Sequence, residues 1–268
     1  MRVDTLNKIV YVRQSWLGDL AICPERARLG VTRPEFRSGS DATIIGTSVH
    51  TGIEAVLSGR TTEFADMLEV VANDYEALTS SDYKITNIIQ EEIPQYLESM
   101  SLAFYNNILP VVSLGGQTEL PFKVPLNIDV NGYAVWLEGT MDYMDSDNNV
   151  WDWKTAKRAY NQRSKQKSAI QPTVYTYAAH MLQQSEQEPT FNYGIMIRQL
   201  EPKSQIVPIM RDVNHWNWLK HQVRGAVSTA LRTGLDNQWI TNDESALCSP
   251  EWCGFWSICK GAYGCNNG

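Results

Sequence analysis

Residues 139–154, GTMDYMDSDNNVWDWK, carry two runs of β-forming residues on either side of a polar turn signal. Alternate side chains of a strand share a face, so Asp152 and Lys154 point one way and the two neighbouring tryptophans point the other way. If the hairpin turns about Asp147, then Asp142 and Asp152 are equally distant from the turn and lie opposite each other. The segment therefore predicts a hairpin that brings two carboxylates and an ammonium together on one patch of a sheet.

Two carboxylates held across a hairpin repel each other, so the pair needs a cation, a shared proton or deep solvation. A hard divalent cation such as Mg²⁺ suits it, because Mg²⁺ binds through one or two carboxylates and keeps water for a substrate phosphate. Such an ion activates water and stabilises the charge of a phosphoryl transition state, while Lys154 positions the nucleophile or neutralises the phosphate. The chemistry that these residues predict is hydrolysis of a phosphodiester.

Two other interpretations of the same stretch compete with a metal site. An acid-x-Lys triplet on a strand is common by chance, and a solvated strand face is the simpler explanation of the triplet alone. A calcium loop is suggested by Asp145, Asp147 and Asn149, which match the start of an EF-hand pattern. That pattern fails at Val150, where the turn needs glycine, and at Ala156, where the bidentate glutamate belongs.

The composition is that of a globular protein with a hydrophobic core. Of the 268 residues 43% are hydrophobic, and no apolar run approaches the roughly 18 residues that a membrane-spanning helix needs. The segment MRVDTLNKIVYVRQ lacks the apolar stretch of a signal peptide, so we expect a cytoplasmic protein. The net charge of −7, from 23 basic and 30 acidic residues, argues against broad nonspecific adhesion to nucleic acid or anionic membrane. The basic, acid-free segment 154–167 is a local exception that suits either a solvated helix face or a phosphate-contacting surface.

Hydrophobic periodicity predicts helices first, then strands, then an alternation of both. Helices are predicted over 14–30, 46–59, 65–109, 168–184 and 213–234. Strands are predicted within 117–154, 191–200 and 205–210. Within the first helical segment we expect Ser15 as the N-cap, a restart at Pro24 and a stop at Gly30. This order, with a turn at Asn131-Gly132, predicts an α/β or α+β domain around a central mixed sheet.

Five cysteines occur as one singleton and one C-terminal group, namely Cys23 and then Cys248, Cys253, Cys259 and Cys265. In a sequence without a secretion signal this grouping favours ligation of a metal or cluster over disulfide bonds. Four thiolates hold either Zn²⁺ or a [4Fe-4S] cluster, and spacing alone does not decide between them. Unligated buried cysteines are the third possibility.

Four further features follow one another along the chain. SWLGDLAICPERARLG contains a hydrophobic helix and then Cys-Pro with basic residues, and IGTSVHTGIEAVL contains Gly-Thr-x-x-His. LEGTMDYM and VWDWKTAK contain Gly-x-x-Asp and Asp-x-Lys-Thr, and QPTVYTYAAHM contains Gln-x-x-x-Tyr on one helix face. Each is weak alone, but the ordered set spans residues 14–265 and resembles the PD-(D/E)xK nuclease superfamily, specifically its RecB-like and Cas4-like branch.

The resemblance implies an α/β fold with a restriction-endonuclease-like core, in which helices flank a central mixed β-sheet. It implies one nuclease domain over 1–268, with a mainly helical N-terminal part, the nuclease core and a cysteine-rich tail joined to Cys23. These parts cover residues 14–110, 117–234 and 245–268.

The resemblance also implies roles for individual residues. His50, Asp142 and Asp152 would hold Mg²⁺ or Mn²⁺, with the Trp153 carbonyl as a further ligand, and Lys154 would be the catalytic lysine beside the two aspartates. Gln171 and Tyr175 would line the nucleic-acid track, the tyrosine by stacking and the glutamine by hydrogen bonding. Glu119 resembles the glutamate at the start of the family's first core strand.

The iron-sulfur members of the branch combine one upstream cysteine with three near the C-terminus, spaced Cys-x2-Cys-x5-Cys. Here Cys23 occupies the Cys-Pro position, and Cys253 and Cys259 reproduce the x5 interval. Cys248 departs from the pattern because four residues separate it from Cys253, and Cys265 is the substitute. The resemblance favours a structural [4Fe-4S] cluster over Zn²⁺.

The function implied is a metal-dependent DNA nuclease, acting as an exonuclease on DNA with a free or single-stranded end. A phage or bacterial enzyme of recombination, repair or spacer processing fits this description, and no membrane partner is expected. One alternative is a catalytically inactive nucleic-acid-binding scaffold that keeps the fold and a zinc or iron-sulfur staple. Another is an unrelated zinc-stapled binding domain whose acids are solvated.

Overall fold

The structure is a computed structural model that describes residues 1–37, 39–80, 83, 85–86, 88–183 and 188–265. The chain divides into two compact units. The first unit comprises Met1–Ser38, Lys123–Gly139 and Val213–Gly268, and the second comprises Gly39–Phe122 and Thr140–Asp212.

Helices and strands occur in blocks along the chain, with two strands, five helices, three strands, two helices, two strands and a last helix among the described residues. The helices are α1 (Gln14–Ile22), α2 (Pro24–Thr32), α3 (Asp41–Leu57), α4 (Phe64–Thr79), α5 (Ile93–Ala103), α6 (Gln162–Ser168), α7 (Ile170–Gln183) and α8 (Val213–Thr233). The strands are β1 (Arg2–Asp4), β2 (Ile9–Arg13), β3 (Gln117–Val130), β4 (Tyr133–Met144), β5 (Val150–Ala156), β6 (Phe191–Ile197) and β7 (Ser204–Ile209). The predicted α/β class with a mixed sheet flanked by helices is confirmed.

In the first unit, short strands pair with the N-terminal half of β4. Strand β1 is antiparallel to β2, and β2 runs parallel to β4 with Tyr11 opposite Trp136. Strands β3 and β4 pair across the predicted turn, where Asn131 and Gly132 have φ values of 52° and 79°. Two successive residues of positive φ match the right-handed twist of a hairpin, which explains the Asn-Gly sequence.

In the second unit, the C-terminal end of β4 is antiparallel to β5, β5 is parallel to β6, and β6 is antiparallel to β7. Helices α6 and α7 form the crossover that a parallel pair requires. All seven residues of β6 are buried, as expected of a strand covered on both faces. Strand β5, which carries part of the site described below, pairs directly with this buried strand.

Two details of the first helical segment differ from expectation. Helix α1 begins at Gln14 with Arg13 as its N-cap, so the prediction of Ser15 as N-cap is wrong. Helix α2 starts at Pro24 as predicted but continues through Gly30 to Thr32. A Cβ on Gly30 would lie 2.2 Å from the Arg37 guanidinium. Gly30 therefore lies inside α2 with the Arg37 side chain against it, and does not end the helix.

No helix in the described part of the chain is long and apolar enough to cross a membrane.

Candidate active site and cysteine cluster

The hairpin between β4 and β5 has the predicted register, since Tyr143 lies opposite Trp151 and Met144 lies opposite Val150. Asp145 fixes the turn with both of its carboxylate oxygens. Its Oδ1 accepts from the backbone N–H groups of Asp147 (3.0 Å) and Asn149 (2.8 Å), and its Oδ2 accepts from Trp151 Nε1 at 2.9 Å. These hydrogen bonds make Asp145 a turn residue and agree with the rejection of a calcium loop.

The tryptophan face of β5 is buried, as the alternation predicted. The rings of Trp151 and Trp153 stack with centroids 5.5 Å apart, and Trp153 meets the edge of Phe104 at 5.4 Å. A Cβ on Gly194 of β6 would lie 2.6 Å from the Trp153 ring, so glycine is required for this approach. Burial of two large rings anchors β5 and fixes the direction of the side chains on its other face.

The opposite face of β5 carries the predicted acid and lysine. Asp152 is 1% exposed, its Oδ2 forms an ion pair with Lys154 Nζ, and its Oδ1 accepts from Gln171 Nε2 at 2.5 Å. The solvated strand face is therefore wrong, because the carboxylate is buried with two protein partners. Asp142 Oδ2 accepts from the backbone N–H of Trp153 at 2.8 Å, which ties the two strands together just beyond their paired residues.

His50 reaches the same place from α3. Its Nδ1 lies 3.7 Å from Asp142 Oδ2, and the ring is hydrogen-bonded to the backbone of Trp153. The structure thus gathers His50, Asp142, Asp152 and Lys154, which are the residues that the sequence proposed for one site.

Burial dominates the protonation of this cluster. It raises the pKa of Asp152 to about 6, and the neighbouring Asp142 adds to the rise while Lys154 opposes it. Burial also raises the pKa of Asp142. The pKa of His50 falls to about 4, because of burial and of the Lys154 charge. The two carboxylates raise the pKa of Lys154 against the effect of burial. At neutral pH His50 is therefore a neutral imidazole, Lys154 an ammonium and Asp152 a carboxylate.

The chemical types of these side chains suit a divalent cation, although their polar atoms contact other protein groups in this structure. A neutral imidazole, two carboxylates and a backbone carbonyl are ligands of Mg²⁺ or Mn²⁺. Burial raises the pKa of both carboxylates, and for Asp152 the charge of Asp142 adds to the rise, so a bound cation would offset unfavourable charge at this place. Among the described residues, no group of three or more His, Cys, Asp or Glu side chains is arranged to hold a metal ion.

Gln171 and Tyr175 both lie on α7, and the Tyr175 side chain is hydrogen-bonded to Gln171. Gln171 orients Asp152 through the bond already described, and Tyr193 Oη donates to Gln171 Oε1 at 3.5 Å. Tyr175 is 8% exposed and packs against the rings of Phe122 (5.8 Å) and Phe191 (6.2 Å). Their contact with nucleic acid remains a prediction.

Glu119 adjoins the site, and its backbone is in the left-handed region with φ 46°. Burial raises the pKa of Glu119, and the charges of Asp142 and Glu54 add to the rise. The resemblance singled out Glu119, but no sequence signal pointed to Glu54 on α3. Tyr160 and Lys165 also interact electrostatically with Asp152. The only signal for them was the basic segment that contains both.

The cysteines belong to the first unit and are all free thiols. One small cavity, of about 30 Å³, is lined by four of them, namely Cys23, Cys248, Cys253 and Cys259, together with Arg26 and Lys260. Burial raises the pKa of the Cys259 thiol to about 11, and the nearby Glu25, Cys23 and Cys253 contribute. Cys265 is exposed and does not line the cavity. The described thiols, like the acids, include no group arranged to hold a metal.

Comparisons with known proteins bear on the family and the fold. The sequence model of the PD-(D/E)XK nuclease superfamily matches residues 14–260. A crystal structure of a "Putative exonuclease" from Eubacterium rectale has a TM-score of 0.55 at 14% identity, covering 100% of this chain and 94% of that one. A crystal structure of SSO0001 has a TM-score of 0.45 at 13% identity, over 96% of this chain and 88% of that one, which is too distant to support the fold. No curated protein matches the sequence. The chain belongs to the PD-(D/E)XK nuclease superfamily.

Proposed function

We propose that the protein is a metal-dependent deoxyribonuclease that acts as an exonuclease on DNA with a free or single-stranded end. The observation that carries the proposal is the convergence of His50, Asp142, Asp152 and Lys154 in one largely buried cluster. Nucleases of this superfamily act on nucleic acids and typically use divalent metals such as Mg²⁺ or Mn²⁺. The sequence resemblance supports DNA and exonuclease action.

In this proposal His50, Asp142, Asp152 and the Trp153 carbonyl hold the cation. The chemistry that such a cation supplies is polarisation of a phosphoryl oxygen and activation of water. The neutral state of His50 leaves a ring nitrogen free to act as a ligand. Lys154 is held against Asp152 and offers its ammonium to the scissile phosphate, where negative charge increases in the transition state.

Gln171 keeps Asp152 in its orientation through the hydrogen bond to Oδ1. Because this donor is uncharged, it fixes the carboxylate without cancelling its charge. The resemblance implies that Tyr175, together with Gln171, lines the nucleic-acid track. In this structure the buried ring of Tyr175 supports the helix that carries Gln171.

The test is cleavage of end-labelled single-stranded and double-stranded DNA by the wild type and by Asp152→Ala. With Mg²⁺ or Mn²⁺ the wild type is expected to release labelled mononucleotides or short products, whereas EDTA or the substitution abolishes cleavage. Cleavage that persists in EDTA, or in the variant, would contradict the mechanism. A covalently closed single-stranded circle separates the modes, since an exonuclease leaves it intact.

We further propose that Cys23, Cys248, Cys253 and Cys259 hold a structural [4Fe-4S] cluster, with Zn²⁺ as the alternative. The support is their shared cavity and the cysteine pattern of the sequence. An absorbance band at about 400 nm after anaerobic purification is expected for the cluster. A colourless protein with stoichiometric zinc would refute it.

An inactive nucleic-acid-binding scaffold is the second candidate. The observation that favours it is that Asp152 already has protein partners, with Oδ1 hydrogen-bonded to Gln171 and Oδ2 ion-paired with Lys154. DNA binding without cleavage under every metal condition would establish this alternative. The single domain over 1–268 also remains a prediction, which one cooperative unfolding transition, seen by probes in both units, would support.

A further inference from the structure

A second lysine lies beside the acid cluster and has no place in the roles above. Lys165 of α6 is half-buried, and its Nζ lies 4.3 Å from the ring centroid of Tyr160 and 5.8 Å from that of Tyr193. The two rings meet edge to face at 5.7 Å, so the ammonium rests on a formed aromatic corner. Such cation–π contacts fix the position of a charge while leaving its outer side open to a ligand.

The backbone of α6 at this lysine is held in place by hydrogen bonds from a buried arginine side chain. Arg211 is 3% exposed, and its Nη2 donates to the carbonyl oxygens of Lys165 (3.3 Å) and Ala169 (3.2 Å). Gln166 adds a second clamp, because its side chain donates to the Met210 carbonyl at 3.0 Å and accepts from the Met210 N–H at 3.3 Å. Helix α6 is short, yet these bonds hold it to the end of β7.

Tyr160 is held in the same way by one side chain of β7. Its N–H donates to Gln205 Oε1 at 2.8 Å, and its carbonyl accepts from Gln205 Nε2 at 3.1 Å. Both the ring and the lysine are therefore positioned before any substrate arrives.

The electrostatic surroundings of Lys165 favour an anion. Burial lowers the pKa of Lys165, the Lys154 charge lowers it further, and Asp152 only partly opposes the change. Within the part of the chain that the structure describes, no carboxylate forms an ion pair with Lys165. An ammonium that is half-buried, next to a second ammonium and without its own carboxylate is incompletely compensated.

We propose that Lys165, supported by the Tyr160 ring, binds a phosphate of the substrate strand next to the phosphate that Lys154 serves. The inference rests on the proposed nuclease function and adds a second phosphate contact to it. Lysine binds phosphate as a point charge and carries no sequence information, so this contact positions the strand whatever its bases. The phosphate belongs either to the interior of the strand or to its 5′ end.

The experiment measures binding without cleavage. Full-length Asp152→Asn protein in EDTA is titrated with a 3′-fluorescein single-stranded oligonucleotide between 50 and 200 mM salt, and Lys165→Met is added to this background. Methionine keeps an apolar stem on the Tyr160 ring and removes the charge. We expect binding about threefold to tenfold weaker and a slope of log K against log salt smaller by about 0.7, the value for one phosphate on a single strand.

Two variants in the same background serve as controls. Lys165→Arg keeps the cation and should retain the slope. Lys203→Met removes an exposed lysine from the loop between β6 and β7 and should also leave it unchanged. An unchanged slope in Lys165→Met, beside a parent that binds, would overturn the Lys165 inference alone. A parent that does not bind, together with a wild type that does not cleave, would overturn the proposed function and the inference with it.

Three probes distinguish the two sources of phosphate. The oligonucleotide is used with a 5′-phosphate, with a 5′-hydroxyl, and as a closed circle that carries an internal fluorophore. A slope deficit on all three probes assigns an interior phosphate, and a deficit confined to the 5′-phosphorylated probe assigns the terminal one. Equal slopes for parent and Lys165→Met on every probe would refute both.

Discussion

The acid cluster of the second unit and the cysteine cavity of the first unit are assembled in different ways. Asp142, Asp152 and Lys154 come from one hairpin, whose register follows from its turn. The cysteine cavity joins Cys23 to the C-terminal segment, where the N–H of Asn242, 219 residues away, donates to the Cys23 thiol at 3.4 Å. The first site depends on local geometry and the second on tertiary closure.

The two sites also differ in charge. The acid cluster contains formal charges whose pKa values are shifted by burial and by each other. In the cysteine cavity, burial keeps the Cys259 thiol neutral at physiological pH. The acid cluster should therefore govern catalysis and pH response, and the cysteine cavity should govern stability once a metal or cluster is bound.

The largest expected effect is on cleavage, and it separates the two sites most clearly. Lys154→Met should reduce the cleavage rate by about 10²- to 10³-fold, because the scissile phosphate loses the cation that faces its developing charge. Lys154→Arg should also be impaired, since a planar guanidinium does not reproduce the contact of Nζ with Asp152. Single-turnover rates with saturating DNA provide the measurement.

The control for the lysine is Lys203→Met, which removes an exposed charge from the same unit and should cleave normally. Cleavage by Lys154→Met at the wild-type rate would remove the lysine from the mechanism.

The second effect is on stability and concerns the cysteine cavity. Cys253→Ser should lower the Tm by about 10 °C, because loss of one ligand of a structural metal or cluster costs on the order of several kcal/mol. The cleavage rate per folded molecule should remain at the wild-type level. Calorimetry with parallel iron and zinc analysis gives the result.

Cys265→Ser is the matched control, since Cys265 is exposed and lies outside the cavity lining. A loss of metal in Cys265→Ser, with full metal content in Cys248→Ser, would reverse the assignment of the fourth ligand.

This contrast also explains what the sequence could predict. The hairpin, its register and the two-faced strand β5 follow from alternation and a turn signal, and both are local. The sequence predicted that Asp152 and Lys154 share one patch of the sheet. It did not predict that the pair is buried, because burial depends on helices far along the chain.

Residues supplied by tertiary packing were not predictable. In the sequence Lys165 resembles any surface lysine. Only the structure shows that Arg211 holds its helix in place through a hydrogen bond to the Lys165 carbonyl. Gly30 resembled a helix stop, since no local pattern reveals that Arg37 occupies the space of its missing side chain. The cysteines could be grouped from their spacing, but only the folded chain brings Cys248 to the cavity and leaves Cys265 outside it.

The third prediction concerns pH and uses metal-free protein in EDTA. The pKa of Asp152 is about 6 in the folded state against an ordinary 3.8, so the folded state binds more protons and stability falls as pH rises through this window. The pKa of His50 is about 4 against an ordinary 6.5, so the unfolded state binds more protons and stability rises over nearly the same window. In the wild type the two contributions oppose each other.

Substituting one group at a time should reveal the pH dependence of stability that the other group contributes. Between about pH 4 and pH 6, the free energy of unfolding of Asp152→Asn should rise relative to that of the wild type as the pH increases. Over the same range that of His50→Gln should fall relative to the wild type. Each change should be at most about 3 kcal/mol. Urea unfolding at a series of pH values measures both. Parallel curves for the three proteins would show that neither group is shifted as described.

The smallest effects come from two glycines that differ in the space around them. Gly194→Ala places a Cβ 2.6 Å from the Trp153 ring and should destabilise the second unit by about 1–3 kcal/mol, since the ring and its strand are packed on all sides. Gly225→Ala in α8 of the first unit meets nothing within 4 Å and should stabilise that helix by about 0.5–1 kcal/mol. Urea midpoints of the two variants test the signs.

The cleavage rates add a result that stability alone does not provide. Trp153 lies between Asp152 and Lys154 in sequence, so a shift of its ring by Gly194→Ala should displace both and lower the rate at saturating DNA, even where the protein remains folded. Gly225→Ala should leave the rate unchanged. If Gly194→Ala cleaves at the wild-type rate, the tryptophan face supports the fold without setting the positions of the acid and the lysine.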